Sequence, residues 1–437
     1  MPPIHPTVSS PQRKELPMSP ESHALAIDFD DIWLVDGVRT PFADYMGPLA
    51  DISPIDLGIK AAREALKKSG VPAEEIGSVV AGSMAQASYD AYMLPRHIGL
   101  YAGVPVGVPA HLVQRVCGTG IEAIIQAASQ IRLGQTQTGL VVGAESMSRN
   151  PVAAYTHRNG FRMGQVEFKD FLWEALIDPA PGIMMGDTAE NLAREYQITR
   201  EEVDVYAAES FDRALKARKD GFFTGEIAAV TSEAFELKGY NTRGIKMGRK
   251  APEVSEDTHV RPSPVEALAK IRPAFGGVQT GGNSSGVVDG AAAAVVASGG
   301  YLRGKQKKPL ARIVAGASVG VPPEIMGIGP VPAIRAVCAK AGIRVDQIDR
   351  FEINEAFGAQ VMACMRALDI PRDRLNVNGG AIAIGHPLAA TGVRLSVTVA
   401  RELQRSGLRY GVASACIGGG QGIALLVENP DAAAKAA

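Results

Sequence analysis

An α/β fold of two similar halves, one of them carrying an inserted domain, is the architecture this sequence predicts. Three observations predict it. Short hydrophobic strands alternate with amphipathic helices, the same order of elements occurs twice, and two strands joined by a tight glycine turn in the second half are far apart in the first. Strands separated by helices belong to parallel sheets covered on both faces, and such sheets bind ligands at the carboxyl ends of their strands.

The first half opens with a strand at Ile32–Val35, a helix at Ile55–Lys68 and a short strand at Val79–Val80 closed by Gly82. A short helix at Pro95–Tyr101, a strand ending at Val116, a helix at Gly118–Leu133 stopped by Gly134, and a strand at Leu140–Val142 follow. The second half repeats the series as strand Ala311–Ala315, helix Pro332–Lys340, strand Arg350–Ile353, helix Gly358–Leu368, strand Leu375–Val377, helix Leu388–Leu403 and strand Tyr410–Ala413. There the last strand, Ile423–Val427, follows the turn Cys416–Gly420 directly. Its counterpart in the first half, Ala291–Val296, comes only after a long interval with helical patterns at Thr188–Tyr196 and Glu201–Lys219. The expected division is a flexible extension over 1–26, a first half over 27–149 plus 286–305, an inserted domain over 150–285, a second half over 306–429 and a tail over 430–437.

With 437 residues, 46% hydrophobic and 21% charged, the chain has enough apolar mass for more than one core. A formal charge of −1 supplies no field to draw it onto nucleic acid or an anionic membrane. No apolar run reaches the roughly 20 residues of a membrane helix. Four cysteines without a CxxC pair suit a reducing compartment, and the Pro- and Ser-rich start lacks the apolar core of a secretory signal, so a cytoplasmic location is expected.

Four residues stand in glycine-rich turns after strands. Cys117 precedes Gly118-Thr-Gly120 at a helix start, where unpaired N–H groups and the helix dipole favour a thiolate; a buried packing cysteine is the alternative. His386 lies in Asn376-Val-Asn-Gly-Gly-Ala-Ile-Ala-Ile-Gly-His-Pro387, held between Gly385 and Pro387, either for its imidazole or as a hydrogen-bonded loop residue. Cys416 precedes Ile417 and Gly418-Gly-Gly420, whose N–H groups can approach a ligand closely. Asn354 opens Asn354-Glu-Ala-Phe357, where its amide can polarise a carbonyl, fix a water or cap the next helix.

Together these four runs, in this order, resemble the thiolase family, and the likeness extends from Ile32 to Val427. It includes Val38-Arg-Thr-Pro-Phe42, Gly143-Ala-Glu-Ser-Met-Ser148, Ile271-Arg-Pro-Ala-Phe275 and Gly282-Asn-Ser-Ser-Gly286. The resemblance implies a thiolase-like fold of two βαβαβαββ halves and an inserted loop domain that binds coenzyme A, assembled as a homodimer or homotetramer. It implies Cys117 as the nucleophile that carries the acyl group, His386 as the base that takes its proton, and Cys416 as the group that moves the α-proton of acetyl-CoA. It further implies an enolate hole from His386 and a water on Asn354, and an oxyanion hole from the N–H groups of Cys117 and Gly418. Ser285, Phe275, Met185, Met326 and Phe357 would line the pantetheine and acyl pocket, or simply pack. Acetyl-CoA, acyl-CoA and 3-oxoacyl-CoA would be the substrates, with coenzyme A as substrate or product and no cofactor or metal required.

Three departures bear on the acyl group. Met184 precedes Met185-Gly186 where the short-chain synthetic branch usually has His, the run Phe275–Asn283 is short, and Arg115-Val-Cys-Gly-Thr-Gly120 is nearer the synthetic pattern than the degradative one. Short-chain acetyl transfer is the favoured expectation, with degradation of longer 3-oxoacyl chains as the alternative. Ketoacyl and hydroxymethylglutaryl-CoA synthases share the fold but lack the second cysteine, so Cys416 discriminates. A CoA-thioester-binding or redox-sensing protein, with Cys117 and Cys416 forming a reversible disulfide, is the rival of another class.

Overall fold

A computed structural model describes residues 24–85, 90–155 and 157–432. Most of the expected extension and tail lies outside these residues. The described strands of the two halves join in one sheet in the order Arg350–Ile353, Tyr410–Ile417, Gln421–Glu428, Ala311–Gly320, Ile32–Arg39, Val288–Ser298, Thr138–Glu145, Ser78–Gly82 and Ala110–Leu112. The join between the halves is narrow, with only Ala311 and Arg312 paired to Leu34 and Trp33. Numbered by their order within each half, the strands fall in the same spatial sequence on both sides of that join. The duplication read from the chain is thus visible as topology.

Two expectations are corrected. The sheet is mixed rather than parallel: Ser78–Gly82 runs parallel to both neighbours, but Val288–Ser298 and Gln421–Glu428 are antiparallel to theirs. A strand that follows its neighbour through the turn Gly418–Gly420 must reverse, and its counterpart in the other half reverses with it. The strand expected at Leu375–Val377 is reduced to one bridge, Phe351 to Leu375. Asn376 leaves the extended region at φ 47°, and its side chain takes over the ladder by accepting from Ile353 N at 2.9 Å and donating to Ile353 O at 2.9 Å.

The flexible extension also ends earlier than expected. Leu25–Asp28 forms a strand antiparallel to Ala315–Ser318, on the edge that Ala311–Gly320 leaves open beyond its short contact with Ile32–Arg39. In the insertion, the helices read from periodicity are present at Met185–Glu195 and Arg200–Lys219. The latter starts in a capping box of Thr199 and Glu202, which satisfies two of its orphan N–H groups.

Two helices occupy the middle of the molecule. Leu388–Ser406, buried along nearly its whole length, packs on Thr138–Glu145 of the first half and Tyr410–Ile417 of the second. Thr119–Arg132 lies beside it, with Ile121, Ile124, Ile125 and Ile131 in the core. Each such side chain contributes about 1.5–3 kcal/mol by burial. The two helices meet at glycines: a Cβ on Gly120 would lie 2.5 Å from Val393 N, and one on Gly392 would lie 2.3 Å from Ile121 N. Backbone therefore touches backbone at this crossing. Cys117 stands just before one helix and His386 just before the other.

Candidate active site

Cys117 is not at the end of a strand. The preceding strand stops at Leu112, and the residue sits in a 3₁₀ turn, Val116–Gly118, ahead of Thr119–Arg132. Val116 is held at φ 44°, a left-handed conformation that costs a β-branched residue on the order of 1–3 kcal/mol. Hydrogen bonds hold the turn in place: Arg115 N donates to Thr119 Oγ1 at 2.9 Å and Thr119 Oγ1 donates to Val116 O at 2.7 Å. The Arg115 side chain also reaches Glu122 at 2.8 Å and Gln421 at 3.1 Å, tying the turn to the second half.

The expectation of a lowered Cys117 pKa is overturned. Burial pushes the thiol up to about 11, against the opposing influence of the Gly418 N–H and the residue's own N–H, both directed at the sulfur. The environment is apolar enough for desolvation to win. These two N–H groups are the pair the family resemblance implies as an oxyanion hole, and the structure brings them to one atom from segments 301 positions apart in numbering, at 117 and 418.

His386 is buried, and its backbone N donates to Gly286 O at 3.0 Å. Its Nδ1 lies 2.6 Å from Thr391 Oγ1, and Thr391 Oγ1 in turn donates to Pro387 O at 3.2 Å. With that proton committed to the carbonyl, the hydroxyl oxygen accepts from Nδ1–H, and the Nε2 lone pair is left facing Asn354 Nδ2 at 3.3 Å. Burial first, then the positive charge of Arg394, lowers the imidazole to about 3. His386 is a neutral imidazole.

Asn354 is fully buried and does not cap the next helix, whose N-cap is Phe357. Its backbone N donates to Ser414 O at 2.9 Å, and its Oδ1 has no partner among the described residues. Cys416 is on the strand Tyr410–Ile417 rather than in the turn, paired with Gly422. It is fully buried, and burial first, then the proximity of Cys117 and Cys364, pushes its thiol well above the usual range. All four cysteines are free.

The expected substrate-lining residues surround Cys416. Met326 and Ala356 form one buried cluster with it, and Met185 and Phe357 pack against that cluster. Phe275 meets Phe357 edge to face with ring centroids 6.3 Å apart, and Ser285 N donates to Ala356 O at 3.0 Å. Met185 Sδ would lie 3.1 Å from any Cβ on Gly418.

Two carboxylates that support the site were not singled out in the sequence. Glu145 accepts from Ser83 Oγ at 3.0 Å, Met84 N at 2.9 Å and Ala389 N at 3.1 Å, the last only three residues past His386. Burial raises its pKa in spite of these donors. Glu355, next to Asn354, accepts from Tyr206 Oη and Ser210 Oγ at 2.7 Å each, from Asn376 Nδ2 at 2.9 Å and from Ile382 N at 3.1 Å. It thereby fastens the inserted helix Arg200–Lys219 to the loops bearing Asn354 and His386. The available signal was an acidic residue inside an apolar run, since a carboxylate there is buried only when it is partnered.

Two neighbouring thiols, and an uncharged imidazole beside a buried amide, set in a duplicated α/β fold, are groups of an acyltransferase that works through a cysteine thioester. Residues 32–300 match the model for the thiolase N-terminal domain and residues 307–429 the model for the thiolase C-terminal domain. The chain is 41% identical over 402 residues to the human mitochondrial 3-ketoacyl-CoA thiolase, covering 91% of this chain and 98% of that protein. It is 41% identical over 404 residues to the beta-ketothiolase BktB of Cupriavidus necator, covering 91% and 99%. The crystal structure of the Bacillus anthracis acetyl-CoA acetyltransferase superposes with a TM-score of 0.84 at 39% identity, covering 92% of this chain and 99% of that one. The chain belongs to the thiolase family.

Proposed function

We propose that this thiolase cleaves short 3-oxoacyl-CoA thioesters with coenzyme A and, in reverse, condenses an acyl-CoA with acetyl-CoA. The observation that carries the reading is the convergence of the Cys117 and Gly418 N–H groups on one thiol, with a second thiol, Cys416, in the adjoining buried cluster. In cleavage, His386 Nε2 takes the Cys117 proton as the sulfur attacks the 3-oxo carbon, and the two N–H groups bear the resulting oxyanion. The bond between C2 and C3 breaks, and the electron pair left on C2 takes the proton of Cys416, releasing acetyl-CoA. Imidazolium at Nε2 and a water on Asn354 stabilise the enolate formed in that step. The thiol of coenzyme A then attacks the Cys117 thioester, its proton passing to Cys416, while the imidazolium proton returns to the Cys117 sulfur. Both thiols begin and end protonated.

The packing of Met185, Met326 and Phe357 around Cys416, backed by Phe275, supports a short acyl group. The name of the human relative favours the alternative of longer 3-oxoacyl chains. The proposal includes a cytoplasmic homodimer or homotetramer, supported by the family resemblance and by the sequence features given above. Thiolysis rates across 3-oxoacyl-CoA substrates of increasing length test the reading: rates should be highest for the shortest substrate, and a rise with chain length overturns the short-chain assignment. In parallel, Cys117→Ser should form no radiolabelled acetyl-enzyme. Labelling that persists removes Cys117 as the nucleophile.

A further inference from the structure

Glu355 is buried to 1% exposure, and four donors close on its carboxylate. Tyr206 Oη at 2.7 Å and Asn376 Nδ2 at 2.9 Å reach Oε1, while Ser210 Oγ at 2.7 Å and Ile382 N at 3.1 Å reach Oε2. Both hydroxyls are turned toward it by bonds of their own. Tyr206 Oη accepts from Asn376 Nδ2 at 3.4 Å and Ser210 Oγ accepts from Gly380 N at 3.1 Å, which leaves each hydroxyl proton for Glu355. Only a group that accepts at every site fits this cage, since an isosteric glutamine would set its amide N–H groups against Ile382 N or Asn376 Nδ2. None of the four donors is a cation. A buried carboxylate is costly in such company, so stability alone is a poor reason for it.

What the cage brackets is Asn354. Asn376 Nδ2 also donates to Ile353 O at 2.9 Å, so one amide grips the residue before Asn354 and the residue after it. Asn354 has few holds of its own: its backbone N donates to Ser414 O at 2.9 Å, and its Oδ1 has no partner among the described residues. His386 is anchored separately, through its backbone N on Gly286 O at 3.0 Å and its Nδ1 on Thr391 Oγ1 at 2.6 Å. We propose, resting on the catalytic reading above, that Glu355, Tyr206 and Ser210 are positioning residues for Asn354. Through them the helix Arg200–Lys219 sets where the Asn354 amide stands opposite His386 Nε2, and so governs the enolate step rather than acylation of Cys117.

The packing agrees with this. Tyr206 and Ser210 lie four positions apart on the helix, which puts both hydroxyls on one face. That face sits directly on the loop leading to His386. Gly379 is at φ 83°, and a Cβ there would lie 2.8 Å from both Ser210 O and Ala214 N; a Cβ on Gly380 would lie 2.2 Å from the Glu355 carboxyl carbon. From the other side, Arg372 Cζ stands 3.7 Å from the centre of the Tyr206 ring and fixes the phenol whose hydroxyl reaches Glu355.

The test compares two steps in the full-length enzyme: single-turnover acetylation of Cys117 by radiolabelled acetyl-CoA, and exchange of the acetyl-CoA methyl protons with solvent. Tyr206→Phe and Ser210→Ala should each slow exchange by up to about 10²-fold, as a small displacement of a reacting group does, while acetylation and KM for acetyl-CoA hold at the parent's values. Glu355→Gln should show the same split more strongly. Equal losses in the two steps overturn the proposal, because a merely structural tether would slow both. Exchange at the parent's rate in the two hydroxyl variants overturns it as well, whatever urea unfolding says of their stability. Should Glu355→Gln fail to fold, Tyr206→Phe and Ser210→Ala decide. Label retained by Cys117→Ser marks failure of the catalytic reading; with that label lost, an absent split marks failure of the positioning alone.

Discussion

The two halves share an order of strands but divide the work unequally. In the proposed mechanism the first contributes Cys117, and its fourth strand, Thr138–Glu145, ends in a carboxylate that holds the Ser83 hydroxyl and two backbone N–H groups in place. In the same mechanism the second contributes Asn354, His386, Cys416 and Gly418, and its fourth strand bears the second thiol just ahead of a three-glycine turn. Where the first half extends that connection into the inserted segment, the second half closes it tightly, and the closure puts the Gly418 N–H on Cys117. Duplication supplied two equivalent helix starts, and the difference in one connection made them unlike.

The largest effects should separate the two thiols. Cys117→Ala and Cys416→Ala should each lower turnover by at least about 10⁴-fold, as loss of a nucleophile or of a central acid and base does. Only Cys416→Ala should still form acetyl-enzyme while losing exchange of the acetyl-CoA methyl protons; exchange at the parent rate would mean another base. Asn354→Ala should cost about 10²–10³ in kcat, as removal of one oxyanion donor does.

Next comes the seam between the halves. Gly120→Ala or Gly392→Ala forces a methyl into facing backbone and should destabilise by roughly 1–3 kcal/mol in urea unfolding. Gly304→Ala, on the helix Gly299–Lys305 with open space around it, should instead be neutral or stabilising by up to about 1 kcal/mol. Equal responses at the three glycines would dissolve the claim that the crossing is special. A further effect is acid sensitivity. His386 is lowered to about 3 in the folded protein, so the unfolded chain binds more protons between that value and about 6.5. Stability should therefore fall as the pH drops below about 6.5, and His386→Gln should flatten that fall.

Much of this was legible in the chain because its signals are local. Helix periodicity, strand runs and the glycine turns gave the order of elements and the four groups of the candidate site. What was not legible depends on residues distant in sequence. Asn376 reads as part of a strand, yet its side chain substitutes for that strand because Ile353 lies opposite. Leu25–Asp28 reads as extension because nothing near it shows that Ala311–Gly320 has an open edge. Cys117 reads as an activated thiol because the dipole is local, whereas the burial that outweighs it comes from the whole fold. Glu145 and Glu355 belonged to runs that were noticed, but their partners at Ala389, Tyr206 and Ser210 could not be inferred from spacing.

The crossing at Gly120 and Gly392 makes catalysis a property of docking. Neither half holds a complete set of reacting groups, and a seam of bare backbone tolerates no gap or slip. Severed in the linker after Lys305, the two fragments would each be silent, and thiolysis recovered on mixing would count, molecule by molecule, how many had found their partner in register.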